Sequence, residues 1–364
     1  MIGRAAIRPY RPQDDDGIVS LRAAAFPSWP AARRHAWSGS AYAWLAASPE
    51  GARMRRWVVD AGDRVIGHVA AVPQAYRVDG RRVVAWTPTE LMIEPGYGFH
   101  ALALMRTLFR ECPDYVGVNT VPEATAIEVR FGAEPVGGLR YEIKALDIAR
   151  HPDLPRRIPG GALRAAAGGV RAADRILLAA IGHRFRVERI DAFDDGFDRL
   201  LERVVRAVPC VVEKDARFLR WRYGLGSPHA SATVLAVRDG DEPLGYAVVR
   251  TSPELDGQLL DLTVRPGRRD VARALVGASI ETAWAAGAWV LRYWWTPSPV
   301  GLSPLDLRAL GFVSRETRGR AEGRPRHPHT LMVHLADPHL QRVARDLANW
   351  SYALGDGESG WALH

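Results

Sequence analysis

The sequence predicts an α/β protein in which one order of strands and helices occurs twice. Alternating apolar residues bounded by tight turns, as around Ala61-Gly62-Asp63 and Asp239-Gly240, indicate β-strands and hairpins. Apolar residues at helical spacing follow one of these strands at Leu102, Met105 and Leu108. The same succession of elements returns after a turn-rich and alanine-rich middle stretch, which indicates a repeat on the scale of a domain.

Composition limits the class of protein. The chain has 364 residues, of which 47% are apolar and 25% charged, which is enough for two globular domains with their own cores. The net charge of +8 would suit anionic ligands such as phosphates or nucleic acid. Because the bias towards arginine, alanine and glycine is typical of a GC-rich genome, we give the charge little weight. Two cysteines without metal-ligand spacing, and no signal peptide or membrane span, predict a cytoplasmic protein without a bound metal.

The first predicted domain covers residues 1–150. Its expected elements are, in order, a strand at 5–10, a helix at 12–26, strands at 56–60, 64–72, 75–78 and 81–86, the stretch described next, a strand at 115–119, a helix at 122–130 and a closing strand at 139–145.

The stretch from Ala85 to Arg110 is the most informative part of the chain. It predicts a strand at 90–93, a tight loop to His100 and a helix that begins at Ala101. A helix N-terminus presents free N–H groups and the positive end of the helix dipole, which favours anions such as a pyrophosphate. The P-loop pattern GxxxxGK[ST] is absent from the sequence, so a phosphate here would be bound in another way.

These features resemble the Gcn5-related N-acetyltransferases, the GNAT family. The loop Gly98-Phe99-His100-Ala101-Leu102-Ala103 is similar to the family pattern [R/Q]xxGx[G/A], with Gly98 in place of the arginine or glutamine. Val118-Asn119 and Phe131-Gly132 resemble a later segment of the family, in which Glu128 stands at the place of the general-acid tyrosine. The resemblance implies two tandem GNAT-like domains, each with a central, mostly antiparallel mixed sheet flanked by helices.

The resemblance also implies a site for acetyl-CoA or another acyl-CoA. In the family the fourth strand ends at a bulge, its exposed backbone pairs with the pantetheine arm, and the loop binds the pyrophosphate. Here the N–H of Met92 or Ile93 would polarise the thioester carbonyl. The residues expected to contact the cofactor are Leu91, Met92, Ile93, Gly98, Phe99, His100, Ala101, Leu102, Ala103 and Asn119.

Three side chains are candidates for proton transfer. Glu90 is the expected general base, with a structural ion pair as the alternative. His100 is a candidate base, with the alternative that it is only a loop residue near phosphate. Glu128 is a candidate acid on condition that burial raises its pKa; the alternative is an exposed glutamate on a helix.

The second half repeats the pattern with a changed loop. Residues 151–183 are predicted to be a linker with a bridging helix, and residues 184–364 a second GNAT-like domain. In its loop, Gly267 to Ala272, Asp270 stands where a small residue should face the pyrophosphate, and Leu307 occupies the tyrosine position. We therefore expect the cofactor in the first domain, while the second shapes the acceptor site or serves as a scaffold.

The predicted activity is transfer of an acetyl or other acyl group from acyl-CoA to an amine of a small molecule: a metabolite, an amino sugar or a natural-product intermediate. One alternative is a Fem-like transferase with aminoacyl-tRNA as donor, which the arginines and aromatics of 217–223 would suit. Another is a non-catalytic, degenerate GNAT scaffold. A carrier-protein thioester is an alternative donor, no membrane association is expected, and the sequence does not indicate an oligomeric state.

Overall fold

The computed structural model describes residues 5–27, 40–119, 122–150, 159–182, 184–229, 231–315 and 329–357. The chain forms two compact units. Described residues up to Gly137 and from 329 to 345 belong to the first unit, and those from Gly138 to 315 and from 346 to 357 belong to the second. Within the described ranges, none of the helices has the length and apolar character that a bilayer crossing needs.

The described residues contain sixteen strands. They are β1 (Ala6–Pro9), β2 (Arg55–Asp60), β3 (Val65–Val78), β4 (Arg81–Ile93), β5 (Tyr115–Asn119), β6 (Glu134–Gly138), β7 (Arg140–Ala145), β8 (Val187–Ile190), β9 (Cys210–Val212), β10 (Thr233–Asp239), β11 (Glu242–Thr251), β12 (Asp256–Val264), β13 (Val290–Trp295), β14 (Val313–Ser314), β15 (Thr330–His334) and β16 (Trp350–Ser351).

The same residues contain ten α-helices. They are α1 (Asp15–Ala25), α2 (Tyr42–Ala46), α3 (Phe99–Glu111), α4 (Pro122–Arg130), α5 (Gly160–Gly182), α6 (Gly196–Val205), α7 (Ala216–Tyr223), α8 (Arg269–Ala285), α9 (Pro304–Ala309) and α10 (Pro338–Ala344).

The first unit is built on a mixed sheet with the strand order β1-β2-β3-β4-β5-β15-β6. Helix α1 packs on one face through Ile18 and Leu21, and α3 packs on the other through Leu104 and Leu108. The strands predicted separately at 64–72 and 75–78 form one long strand, β3, and those predicted at 81–86 and 90–93 form another, β4. These two strands meet in a hairpin at Asp79-Gly80, where both residues have positive φ (49° and 73°).

Two strands belong to a different unit from the one in which the sequence placed them. The predicted strand at 139–145 is confirmed as β7, but β7 pairs with β13 and β14 in the second unit. Conversely, β15 near the end of the chain pairs with β5 in the first unit. The expectation that 139–145 closes the first domain is therefore wrong, and the expected boundaries at 150 and 184 differ from those of the units. Apolar alternation predicts that a segment is a strand, but it does not predict which strand it pairs with.

The second unit has a mixed sheet with the strand order β14-β7-β13-β12-β11-β10-β8. Helix α8 contributes Leu275 and Ile280 to a core that also contains Leu259 and Leu262 of β12. The helix predicted at 338–350 ends at Ala344, and β16 follows it and pairs in parallel with β9. Both sheets are mixed and flanked by helices, so the predicted fold class is confirmed.

Candidate functional site

The pairing of β4 with β5 ends early and leaves a gap in the first sheet. These parallel strands pair at one position, Trp86 with Tyr115, and Thr87 Oγ1 donates to the Val116 carbonyl oxygen at 2.6 Å. Beyond these residues the described strands share no further pair, although a parallel ladder normally continues along both partners. The edges of this gap, called here the first opening, are residues 88–93 and 117–119.

A β-bulge bends β4 within the first opening. The register shifts between the pairs His68 with Met92 and Ala70 with Thr89, so that β4 has one residue more than β3. Glu90 lies in this bulge with a φ of 52°, in the left-handed region. Such a conformation costs a residue other than glycine about 1–2 kcal/mol. It persists where the surrounding structure enforces it, and such positions cluster at functional sites.

The backbone of β4 after the bulge faces two sides in alternation. Glu94 N donates to the Ile66 carbonyl oxygen at 2.9 Å, so Glu94 faces β3. Because backbone groups alternate along an antiparallel strand, Met92 also faces β3, whereas Leu91 and Ile93 face the first opening. The structure thus directs two of the three predicted backbone contacts into the gap and directs Met92 N–H away from it.

A buried ion pair holds the Glu90 side chain. Its carboxylate, 4% exposed, accepts hydrogen bonds from Arg22 Nε at 2.8 Å and Arg22 Nη2 at 2.6 Å, one on each oxygen. Tyr42 Oη donates to the second oxygen at 2.7 Å. A general base needs a lone pair directed at the proton that it removes. The contacts of Glu90 therefore favour the ion-pair alternative over the expected general base.

His68 binds the main chain of the same residue. Arg56 Nε, which can only donate, lies 3.3 Å from His68 Nε2. The proton of the ring is therefore on Nδ1, which donates to the Glu90 carbonyl oxygen at 3.3 Å. Burial, reinforced by the charges of Arg56 and Arg22, lowers the pKa of His68 well below its usual value, so the ring is neutral.

Glu128 lies buried beside the end of β5. Tyr115 Oη donates to Glu128 Oε2 at 2.6 Å, and Asn119 Nδ2 donates to the same oxygen. Burial raises the pKa of this carboxyl to about 7, although both hydrogen bonds act to lower it. The alternative of an exposed helical glutamate is therefore wrong. A carboxyl with a pKa near 7 can both give and accept a proton at neutral pH.

Helix α3 begins at Phe99, two residues earlier than expected. Gly98 is its N-cap, with a φ of −52°. His100 N donates to the Tyr97 carbonyl oxygen and Ala101 N to that of Gly98, at 2.9 and 3.1 Å. In the described part of the chain, the N–H groups of Gly98 and Phe99 have no acceptor, so they are the donors that this helix end offers to a ligand.

Exposed apolar side chains lie on the helices that follow β4 and β5. Phe99 is 69% exposed and Leu102 37% exposed on α3, and Val129 is 48% exposed on α4. The His100 ring lies against Phe99, with the ring centres 4.1 Å apart. The start of α3 thus offers free N–H groups next to apolar surface, which suits a ligand with an anionic and an apolar part.

The second unit contains an equivalent gap that its own chain fills. β12 and β13 pair in parallel from Asp256 with Val290 to Leu259 with Tyr293 and then diverge. A segment here called the closing segment enters between them: it is residues 350–356. On the β13 side, its Ala353 pairs with Trp295.

The closing segment also contacts β12. A Cβ atom on Gly355 would lie 2.6 Å from the Leu260 carbonyl oxygen, so the two backbones touch. Lys214 Nζ bridges Asp356 Oδ1 at 2.8 Å and Asp261 Oδ1 at 2.9 Å, and all three side chains are at most 5% exposed. Burial raises the pKa of Asp356 to about 6, against the opposing effect of Lys214. The gap between β12 and β13, called here the second opening, is therefore closed by packing and by buried ion pairs.

The loop before α8 also differs from its counterpart. Arg268 Nε pairs with Asp270 Oδ1 at 2.9 Å. Arg269 Nε and Arg273 Nε pair with the two oxygens of Asp306 at 3.0 and 3.1 Å. The arginines at this helix start therefore already have carboxylate partners.

We compared the chain with known protein families, curated proteins and solved structures. No protein-family model and no curated protein matches the sequence. A GCN5-related N-acetyltransferase from Kribbella flavida has a similar structure, with a TM-score of 0.58 and 18% identity over 93% of this chain and 73% of that chain. One from Anabaena variabilis gives a TM-score of 0.57 and 12% identity over 91% and 72% of the two chains. Saccharomyces cerevisiae N-myristoyltransferase, with bound myristoyl-CoA and inhibitors, gives 0.54 and 11% over 92% and 80%.

The chain therefore has the GNAT fold, and the resemblance predicted from the sequence is confirmed at that level. At these identities the likeness shows the fold alone. Sequence reasoning missed four polar residues around the first opening: Arg22, Tyr42, His68 and Tyr115. One signal was present, because Arg22 follows Ile18 by four residues and so lies on the apolar face of its helix.

Proposed function

We propose that this chain is an acyl-CoA-dependent N-acyltransferase that moves an acyl group directly to an amine of a small molecule. The first opening carries the proposal: a parallel strand pair ends after one position, a bulge turns the next backbone groups into the gap, and a helix start follows. A thioester donor with an amide-containing arm and a pyrophosphate matches these three features in order.

The residues of the first opening fit such a donor. The backbone of Leu91 and Ile93 offers hydrogen bonds to the amides of the arm, as a neighbouring strand would. The free N–H groups of Gly98 and Phe99 and the helix dipole suit the pyrophosphate. Small side chains at Ala101 and Ala103 allow phosphate oxygens to approach the backbone. Phe99 and Leu102, both exposed, and His100 are proposed to cover apolar parts of the donor, which favours the binding role of His100 over the role of base.

Glu128 is the proposed acid. In the transfer, the amine nitrogen attacks the thioester carbonyl, the C–N bond forms and the C–S bond breaks. The nitrogen loses a proton to water as the amide forms, and the sulfur gains one. Glu128 stands at the position of the family tyrosine and holds a proton up to about pH 7. Tyr115 and Asn119 fix its carboxyl group through Oε2, so we assign Asn119 to positioning Glu128 rather than to the donor.

The acceptor class follows the prediction from the sequence. We propose a small-molecule amine, whether a metabolite, an amino sugar or a natural-product intermediate. A donor bound to a carrier protein carries the same arm and remains the alternative. For the second unit, a non-catalytic role is favoured, because the closing segment occupies its opening.

Calorimetry with acetyl-CoA tests the donor site. We expect one binding site per chain, and Ala101→Asp should weaken binding at least about 100-fold because it puts a like charge beside the pyrophosphate. An aspartate in the first turn favours the helix, so the loss cannot come from unfolding of α3. The matched control is Asp270→Ala at the equivalent position in the second unit, which should leave affinity and stoichiometry unchanged.

Two results would reject the proposal. If wild-type protein binds no acyl-CoA but binds bulk tRNA with a steep salt dependence, the Fem-like alternative replaces it. If Ala101→Asp leaves binding intact while Asp270→Ala changes it, the donor site lies in the second unit.

A further inference from the structure

Three side chains from outside the edges of the first opening contact the β4 bulge. Arg22 and Tyr42 bind the Glu90 carboxylate, and His68 binds the carbonyl oxygen of the same residue. Arg22 is fully buried, and His68 is also fully buried. A left-handed conformation at a glutamate is unfavourable by itself, so these contacts are what keeps the bulge in place.

The contact with His68 sets the direction of the next N–H group. In a trans peptide the carbonyl and the N–H point in opposite directions. The Glu90 carbonyl points at His68 on β3. The Leu91 N–H therefore points away from the His68 ring, and the alternation of the β4 backbone turns it towards the first opening.

We propose that Arg22, Tyr42 and His68 are positioning residues that aim the Leu91 N–H at the thioester carbonyl, with Glu90 as the group they hold rather than as the general base. The inference rests on the proposed acyl-CoA site. Of the two N–H groups expected to polarise the carbonyl, that of Met92 faces β3, and Leu91 N–H takes its place. Ile93 N–H, the other expected donor, also faces the first opening and is assigned here to the amides of the arm. An N–H group that is already fixed in the right direction stabilises the negative charge that develops on the carbonyl oxygen, and no reorganisation is needed during the reaction.

A double substitution tests this role while preserving the fold. Removal of one partner of a buried ion pair leaves an uncompensated charge, whereas an apolar pair of similar volume is often tolerated. Arg22→Met with Glu90→Met should therefore fold and bind free CoA within about 2-fold of wild type. Its preference for acetyl-CoA over free CoA should fall about 2- to 10-fold, the size of one lost hydrogen bond to the acyl carbonyl. An unchanged preference would overturn the inference.

Glu90→Gln separates positioning from base catalysis. Glutamine keeps a carbonyl oxygen that accepts from Tyr42 and Arg22, but it removes the negative charge that faces the buried Arg22, so the variant is first required to bind free CoA as the wild type does. With a primary amine present, release of the CoA thiol from acetyl-CoA should then keep its pH profile and fall by no more than about 10-fold. A loss above about 1,000-fold together with the disappearance of the basic limb would make Glu90 the base and overturn the inference. Tyr42→Phe, which removes one hydrogen bond, is the milder variant and should give a smaller shift of the preference in the same direction.

The failure of the inference and that of the proposed function are distinguishable. Absence of CoA binding by the wild-type protein rejects the donor site itself. Normal CoA binding with an unaltered preference in the double variant rejects only the positioning role.

Discussion

The two units carry the same gap between parallel strands and treat it in opposite ways. In the first, β4 and β5 part after one pair, and no described segment enters between them. In the second, β12 and β13 part after four pairs, and the closing segment enters the gap with Ala353 against β13 and Gly355 against β12. Two parallel strands that diverge can therefore leave space for a ligand, or the space can be filled by another segment of the same chain.

The loops before α3 and α8 differ in the groups that they would present to the proposed phosphate. At the start of α3 the N–H groups of Gly98 and Phe99 have no acceptor in the described residues. At the start of α8, Asp270 and its ion pair with Arg268 occupy the corresponding position. The filled second opening and the aspartate at the start of α8 both disfavour a bound pyrophosphate. We therefore expect the second unit to have a structural role and no second donor site.

Removal of the closing segment has the largest expected effect. Truncation before Trp350 deletes the buried side chains of Trp350, Tyr352 and Leu354, each worth about 1.5–3 kcal/mol of apolar burial. The sum is comparable with the whole stability of a domain. The second unit should therefore lose cooperative folding, seen as fast amide hydrogen exchange in β12 and β13.

A shorter truncation is the control for this experiment. Ending the chain after Gly357 keeps the closing segment and should leave exchange in β12 and β13 slow. If the longer truncation instead left the second unit folded and gained a second equivalent of bound acetyl-CoA, the closing segment would be a removable lid, and the contrast between the openings would be one of regulation.

Lys214→Met is expected to have the next largest effect. It leaves Asp261 and Asp356 as two buried carboxylates without their shared cation. Loss of one partner of a buried ion pair costs about 3–5 kcal/mol, measurable as a lower urea midpoint. Arg55→Met, which removes a pair with Glu111 whose side chains are 49% and 35% exposed, should cost no more than about 1 kcal/mol. Equal effects of the two variants would contradict the importance of the buried pair for the closed opening.

Glu128 makes the stability of the first unit depend on pH. The folded pKa of Glu128 is about 7, above its usual value of 4.5, so between these values the folded state holds a proton that the unfolded state has lost. Stability should therefore fall as the pH rises from about 4.5 to about 7, by about 2–3 kcal/mol. Glu128→Gln should remove this slope in denaturant titrations.

Glu123→Gln, an exposed position on the same helix, is the matched control and should keep the wild-type slope. Buried Leu307 stands at the equivalent position of the second unit and cannot titrate. Asp356, with a pKa of about 6, gives the second unit a slope of its own, so unfolding of the first unit is followed separately. If Glu128→Gln retained the full slope, the raised pKa would not belong to Glu128, and its proposed role as acid would lose its physical basis.

The fold was predictable because local signals agree with it. Turn residues, apolar alternation and helical spacing predict most of the strands and helices but not the short strands β6, β9, β14 and β16. The bulge and the helix start follow from the resemblance. The exchange of β7 and β15 was not predictable, since a strand pattern carries no information about its partner. The helix predicted at 338–350 includes the first residue of the closing segment, Trp350, which instead begins β16.

The polar part of the site was harder to predict for a different reason. The prediction that Glu90 lies on the strand before the loop agrees with β4, but whether a carboxylate acts as a base depends on what contacts it. Its partner Arg22 lies 68 positions earlier, and no local pattern connects the two. For Glu128 the expected exposed position on a helix is wrong, because helical spacing alone does not show that Tyr115 and the sheet bury it.

The smallest expected effect comes from restoring the arginine that the family pattern has at Gly98. This residue has a φ of −52°, and a Cβ atom would meet nothing within 4 Å, so arginine fits without strain. A charge-assisted hydrogen bond to phosphate should tighten acetyl-CoA binding about 2- to 10-fold in a salt-dependent way. Gly267→Arg is the counterpart in the second unit, where a φ of 78° makes any side chain unfavourable. It should destabilise that unit by about 1–2 kcal/mol and leave acetyl-CoA binding unchanged. Calorimetry at two salt concentrations and urea unfolding of both variants measure these effects. Tighter binding from Gly267→Arg, with none from Gly98→Arg, would reverse the assignment of the two openings.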